Sequence, residues 1–198
     1  MASKTEISNM ALVNLGITTL ISSLTERSVE AKLCKLYIDS VIKEVLRDFD
    51  WNFAKRTVSL SLLNDSNEGK FQYSYLYPSE CVKFLKISSG AYVENNNTKI
   101  PFEIELNDSD KKIIKTNEYQ ATGVYTKYIE DPSLYPEDFI SAISYMLSFK
   151  IAPGLDRAQR RNDMFTIYDD VISRAKKNAG NEIKIANNNS SEFLRARS

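Results

Sequence analysis

Apolar and polar positions recur along this chain with two different periods, and the changes of period divide it. Near the N-terminus Ile7, Met10, Ala11 and Leu15 fall at helical steps of three and four. Ser3 stands three residues before Glu6, the spacing of a capping box, and Gly16 is placed to close the helix in a left-handed conformation. After an apolar connector, Ile17 to Leu24, the strongest helical stripe begins, with Thr25 or Ser28 as its cap. Ala31, Cys34, Ile38, Val41, Ile42, Val45 and Phe49 share one face, while Lys35, Asp39, Lys43, Glu44 and Arg47 lie largely off it. Asp39 and Lys43 are spaced for an i,i+4 ion pair worth a few tenths of a kcal/mol. The only tryptophan, Trp51, follows with Phe53 where the pattern changes, and both read as a buried hinge plug.

From Arg56 to about Ile129 the period is two. Val58, Leu60 and Leu62 alternate with Thr57, Ser59 and Ser61. Asn64 to Gly69 is a turn cluster. Phe71, Tyr73, Tyr75 and Tyr77 line one face of the next strand, which Pro78 stops. Val82 and Phe84 continue in extended form, and Asn95, Asn96 and Asn97 mark a loop tip. Ile100, Phe102, Ile104 and Leu106 alternate with Pro101, Glu103 and Glu105, with Pro101 suggesting an edge strand. Ile113, Ile114, Val124, Thr126 and Tyr128 supply two further strands.

Residues 136–151, PEDFISAISYMLSFKI, have almost no polar face, and such a helix is either buried or in a membrane. This segment is shorter than the roughly 20 apolar residues of a span. Pro136, Glu137 and Asp138 suit a helix start, and Pro153 and Gly154 an end. Burying each large apolar side chain contributes about 1.5–3 kcal/mol, so this is the expected central helix of a bundle. A last helix, capped by Asp156, carries Met164, Tyr168, Val171, Ile172, Ala175 and Ala179 on its stripe, with Gly180 as its expected end. The Asn-rich tail beyond is too polar to build a core and is expected to be disordered.

These periods predict an α+β protein: an antiparallel helical bundle from residues 1–55 and 130–183, a β-rich insertion, 56–129, between the second and third main helices, and a flexible polar tail, 184–198. The expected bundle core is Trp51, Phe53, Phe139, Ile143, Met146 and Leu147.

Composition narrows the chemistry. The 198 residues carry 26 basic and 26 acidic side chains, so no global field favours nucleic acid or an acidic substrate. There is no histidine, which removes the commonest general base and metal ligand. Cys34 and Cys81 match no zinc or redox spacing and read as buried small hydrophobes. The six glycines form no phosphate loop. No metal or cofactor is expected, and no signal peptide or membrane span is visible. Glu103 with Glu105, or Asp169 beside Asp170, would suit a carboxylate-pair hydrolase, although solvated surface charge is the simpler account. The tyrosine row can stack bases, although with few cations beside it sheet core or a protein interface is the better account. From Lys150 onward ten basic residues face six acidic ones, a local net charge of +4.

Three stretches, taken in order, carry a resemblance. The first is ALVNLG, then SLTERSVEAKLCKLY, then DWNFAKRTVSL. The second is YSYLYPSECVKFLKI. The third is YIEDPSLYPEDFISAISYMLSFKIA, followed by a long helix with AKKNAGNE. Together, over about Thr5 to Ile183, the chain resembles the head-to-tail adaptors of short-tailed bacteriophages, the tail tubular protein A or gatekeeper family. The resemblance implies a non-enzymatic structural protein of the virion neck, assembled in the host bacterial cytoplasm. It implies a homo-oligomeric, dodecameric ring between the portal protein and the tail nozzle, with packaged double-stranded DNA in its channel held without sequence specificity. On this view the tail residues Phe193, Leu194, Arg195 and Arg197 are the expected portal contact, ordered on binding. The eighteen residues from Asn181 to Ser198, if fully extended, reach at most about 60 Å. The alternatives from other classes are a cell-wall-degrading tail hydrolase and a nucleic-acid-binding module acting through the basic C-terminal part.

Overall fold

The computed structural model describes residues 2–63, 69–88 and 100–195, those from 179 on as backbone only. Among these residues are four α-helices, α1 (Lys4–Asn14), α2 (Val29–Asp48), α3 (Glu137–Ile151) and α4 (Arg161–Arg195). Six strands lie between α2 and α3: β1 (Lys55–Ser59), β2 (Tyr73–Leu76), β3 (Cys81–Ser88), β4 (Phe102–Leu106), β5 (Lys112–Thr116) and β6 (Thr122–Lys127). The protein is α+β. It divides into a helical unit, Met1–Phe53 with Ile129–Ser198, and a β unit, Ala54–Tyr128.

In the helical unit α3 packs against α1, α2 and α4. Nine of its fifteen residues are buried, among them Phe139, Ile143, Met146, Leu147 and Ile151. Its three serines are accommodated in different ways. Ser148 is fully buried, and its one hydroxyl proton is shared between the Ala11 carbonyl of α1 at 2.9 Å and Ser144 O at 2.7 Å. Ser144 donates to Ser141 O, and Ser141 is only half-buried. A buried hydroxyl left unpaired would cost about 1–3 kcal/mol, so the bond from Ser148 to α1 lets a serine sit between two helices without that penalty. Trp51 is buried, with its indole N–H donating to Val45 O at 2.9 Å. Phe53 is only half-buried, so it forms the outer side of the plug.

Local signals at the helix ends act as their residue types require. Both arms of the α1 capping box are made, Glu6 N to Ser3 Oγ at 3.1 Å and Ser3 N to Glu6 Oε2 at 2.8 Å. Ser28 caps α2. Gly16 has φ +75°, a conformation that favours glycine, while the Arg160 guanidinium, 3.1 Å from where a Cβ would stand, would have to shift only slightly to admit one. Asp39 pairs with Lys4 of α1 at 2.7 Å, a tertiary partner that spacing along one helix cannot reveal. Two expectations are overturned. Asp156 does not cap α4. It adopts a left-handed conformation, φ 55°, after a 3-10 turn at Ala152–Leu155, and α4 starts five residues later. Nor does Gly180 end α4, which continues to Arg195 in place of an irregular tail. A glycine inside a helix costs only about 1 kcal/mol relative to alanine, too little to stop a helix without a following proline.

The buried thiol of Cys34 has its pKa pushed up to about 11 by desolvation, and burial together with a bond to Asp48 also raises that of Tyr168. The Tyr168 hydroxyl donates to Asp48 Oδ2 at 2.5 Å. Both groups hold their protons more tightly folded than unfolded. Their contribution is therefore complete below the unfolded pKa values, near 9 and 10, and is lost as pH rises toward the folded ones. Urea unfolding at stepped pH should show stability falling from pH 9 upward, with a slope of up to about 1.4 kcal/mol per unit for each titrating group. Cys34→Ala should flatten the slope between pH 9 and 11, and an unchanged slope would refute the assignment.

The β unit has two antiparallel three-stranded sheets, ordered β1-β6-β3 and β2-β5-β4. Its core joins Leu60, Tyr75, Phe84, Ile87, Ile114, Ala121 and Tyr125. The chain after β1 links the sheets. Leu60 N donates to Ala121 O beside β6, and beyond it Leu63 N donates to Ser74 O while Leu76 N donates to Ser61 O of β2's partner segment. β4, which follows Pro101, lies at a sheet edge.

Candidate functional site

The carboxylates and tyrosines suggested by the sequence are not gathered at one place. Glu103 and Glu105 lie on the exposed face of β4, and each is held by a lysine, Lys70 at 3.0 Å and Lys115 at 2.8 Å. Asp169 and Asp170 are exposed neighbours on α4, so helical geometry directs them about 100° apart. Tyr75 is buried, its hydroxyl donating to Glu118 O at 2.8 Å and accepting from Ala121 N at 3.4 Å. Tyr73 and Tyr77 flank it half-buried against the same core, which makes the row part of the sheet interior. Phe193, Leu194 and Arg195 belong to the last turn of α4, with side chains outside the described residues, and Arg197 lies outside them altogether. Cys34 is buried, but Cys81 is only half-buried and its thiol donates to Tyr77 Oη at 3.1 Å, so one of the two cysteines departs from the expected core role.

What does form a recess is the point where β2 leaves the strand beside it. The paired bonds at Ser61 and Leu63 set a register in which Ser59 would face Pro78 and Thr57 would face Glu80. Pro78 has no N–H and ends the ladder there. The chain turns instead, with Cys81 N donating to Pro78 O at 3.1 Å. The result is an open cleft of about 720 Å³ between residues 58–61, the 76–81 turn, the start of β5 and Tyr125. This volume falls within the range of ligand pockets, about 300–1,000 Å³.

The cleft has an apolar floor and a basic rim. Leu60 and Tyr125 are buried beneath it, and Leu76 is exposed on its wall. The Lys112 ammonium sits 5.5 Å above the Tyr77 ring, a cation–π contact that leaves its N–H donors available. Among the described residues, neither Lys111 nor Lys112 has a carboxylate partner. Glu80, the acidic residue of the rim, is neutralised by Lys127 at 2.7 Å. Burial and the nearby Glu80 carboxylate raise the Tyr125 pKa, which keeps its phenol neutral. The signals for this cleft were present in the sequence as Pro78 at the end of the tyrosine strand and the Lys111–Lys112 pair. Its position depends on strand register, which the sequence does not give.

No protein-family model matches the chain, and no curated protein matches it. Among the described residues no group of three or more Cys, Asp or Glu side chains is placed to hold a metal ion. No helix among them is long and apolar enough to cross a membrane.

Proposed function

We propose that the chain is a structural virion protein, an adaptor that forms a ring between a phage portal and the tail nozzle and encloses part of the DNA channel. The observation that carries this reading is the length of α4, which continues as helix to Arg195, well beyond Ala175, the last buried position among the residues whose burial is described. Its buried stripe is Met164, Tyr168, Val171, Ile172 and Ala175, after which Lys176, Lys177 and Asn178 are exposed. The twenty residues from Lys176 to Arg195 form about 30 Å of this helix at 1.5 Å each. A polar helix of that length gains little from its own propensity in water. An arm of this kind suits docking onto a neighbouring subunit, and the order of the sequence motifs supports the same reading. Its terminal Phe193 and Leu194, with Arg195 and Arg197, are the assigned portal contact, where aromatic and arginine side chains serve as anchors.

The test is a truncation before Ser190. The shortened chain should keep its circular dichroism and melting temperature but lose capture by purified portal rings. Undiminished capture would refute the contact. Sedimentation of the full chain alone should give a monomer, with a ring appearing only on the portal. A stable ring in isolation would refute that order of assembly.

A further inference from the structure

The cleft lies within the β unit and plays no part in the proposed portal contact. Its most informative feature is an unused strand edge. β1 pairs with β6 so that Leu60 lies opposite Ala121, and the same register runs back to Lys55 opposite Thr126. In an antiparallel ladder directly opposed hydrogen-bonded pairs alternate, so Val58 and Arg56 share Leu60's orientation toward β6. The backbone groups of Thr57 and Ser59 therefore point the other way, toward the edge that β2 occupies further along the chain. Among the described residues no strand pairs with this edge at these two positions, because Pro78 has turned the chain out of the ladder. Exposed edge groups of this kind are a template for an added strand.

The chemistry around this edge selects the strand. Lys111 and Lys112 supply two positive charges without carboxylate partners among the described residues, while the rim's Glu80 is already neutralised. Leu60, Leu76 and Tyr125 offer an apolar floor on the same cleft. A strand alternates its side chains between two faces, so one face can meet the floor while the other carries carboxylates to the lysines. We propose that this cleft binds an extended acidic segment of a partner protein, added along β1 at Thr57 and Ser59 and held through its carboxylates by Lys111 and Lys112. Main-chain bonds along β1 provide register, and the lysines provide selectivity against neutral and basic strands.

The probe is a short fluorescein-labelled peptide alternating valine and glutamate, measured by fluorescence polarisation against the full chain at low salt. It should bind, and the Lys111→Glu/Lys112→Glu variant should weaken binding roughly tenfold or more, as expected for losing charge-assisted contacts. Ser59→Pro deletes an outward-facing N–H without touching the β6 ladder, so it should also weaken binding while leaving the melting temperature close to that of the parent. Cys81, in the cleft wall, provides a second readout: saturating peptide should slow its reaction with a maleimide, whereas the same peptide with lysine for glutamate should not. Three results would overturn the proposal. They are no binding at millimolar peptide, affinity unchanged in the double-lysine variant, and no protection of Cys81. Displacement of the peptide by oligothymidylate at lower concentration would also overturn it, by making the cleft a phosphate site.

Discussion

Replacing Phe139 with alanine should lower the stability of the helical unit by about 3–5 kcal/mol. Phe139 is fully buried at the start of α3. Its ring lies 4.9 Å from each of Trp51, Phe53 and Tyr135, with the Tyr135 ring at 88° to it. The pairs with Trp51 and Tyr135 are edge-on, and such pairs contribute about 0.5–1.5 kcal/mol each beyond the area they bury. The cavity would open among rigid rings that cannot collapse into it, which places the expected cost in the upper part of the range. Tyr135 is further fixed because its hydroxyl donates to Ile129 O at 2.6 Å. Urea titration read by Trp51 fluorescence reports on this cluster directly, since Trp51 is the only tryptophan. A fall in the midpoint at constant slope is the expected outcome. A loss below about 1 kcal/mol would mean that α3 is not anchored through this cluster.

Tyr75→Ala should destabilise the β unit by a similar amount, and Tyr75→Phe should separate the two sources of the loss. Tyr75 is 1% exposed. Its hydroxyl serves the Glu118 carbonyl and the Ala121 amide, both in the chain between β5 and β6. Phenylalanine keeps the ring but strands those two backbone groups, at a cost of about 1–3 kcal/mol. Alanine adds a cavity beside Ile114 and Leu60, for a total of about 3–5 kcal/mol. Trp51 lies outside this unit, so amide exchange of peptides covering β2, β5 and β6 is the suitable measurement. If Tyr75→Phe leaves the exchange of β5 and β6 unchanged, the hydroxyl does not hold that connection.

Elements set by local chemistry were legible from the residues alone. The Ser3–Glu6 pair, the cap at Ser28, the positive φ of Gly16, the edge position after Pro101 and the burial of most of α3 each follow from neighbours within a few positions. Features that depend on distant partners were not. Asp39 pairs with Lys4 of another helix, and the half-buried Cys81 donates to Tyr77, just beyond the end of β2. Asp156 looked like a cap because of its residue type, but the turn at Ala152–Leu155 placed it in another conformation. Gly180 looked like a stop, yet its cost is small against a long helix. The cleft was the hardest to foresee. Its residues come from four separate stretches, and it exists only because Ser61 and Leu63, rather than their neighbours, engage β2.

The pairing of the β unit's first and last strands has a further consequence. Lys55 faces Thr126 across one ladder, so the chain enters and leaves the unit about 5 Å apart. A helical protein interrupted there sees little more than a short hairpin, whatever length of chain lies beyond. Loop-closure entropy then hardly distinguishes a small insert from a large one. The β unit is in effect a cassette, and exchanging it for another whose ends lie equally close would leave the helical framework with the same connection to close.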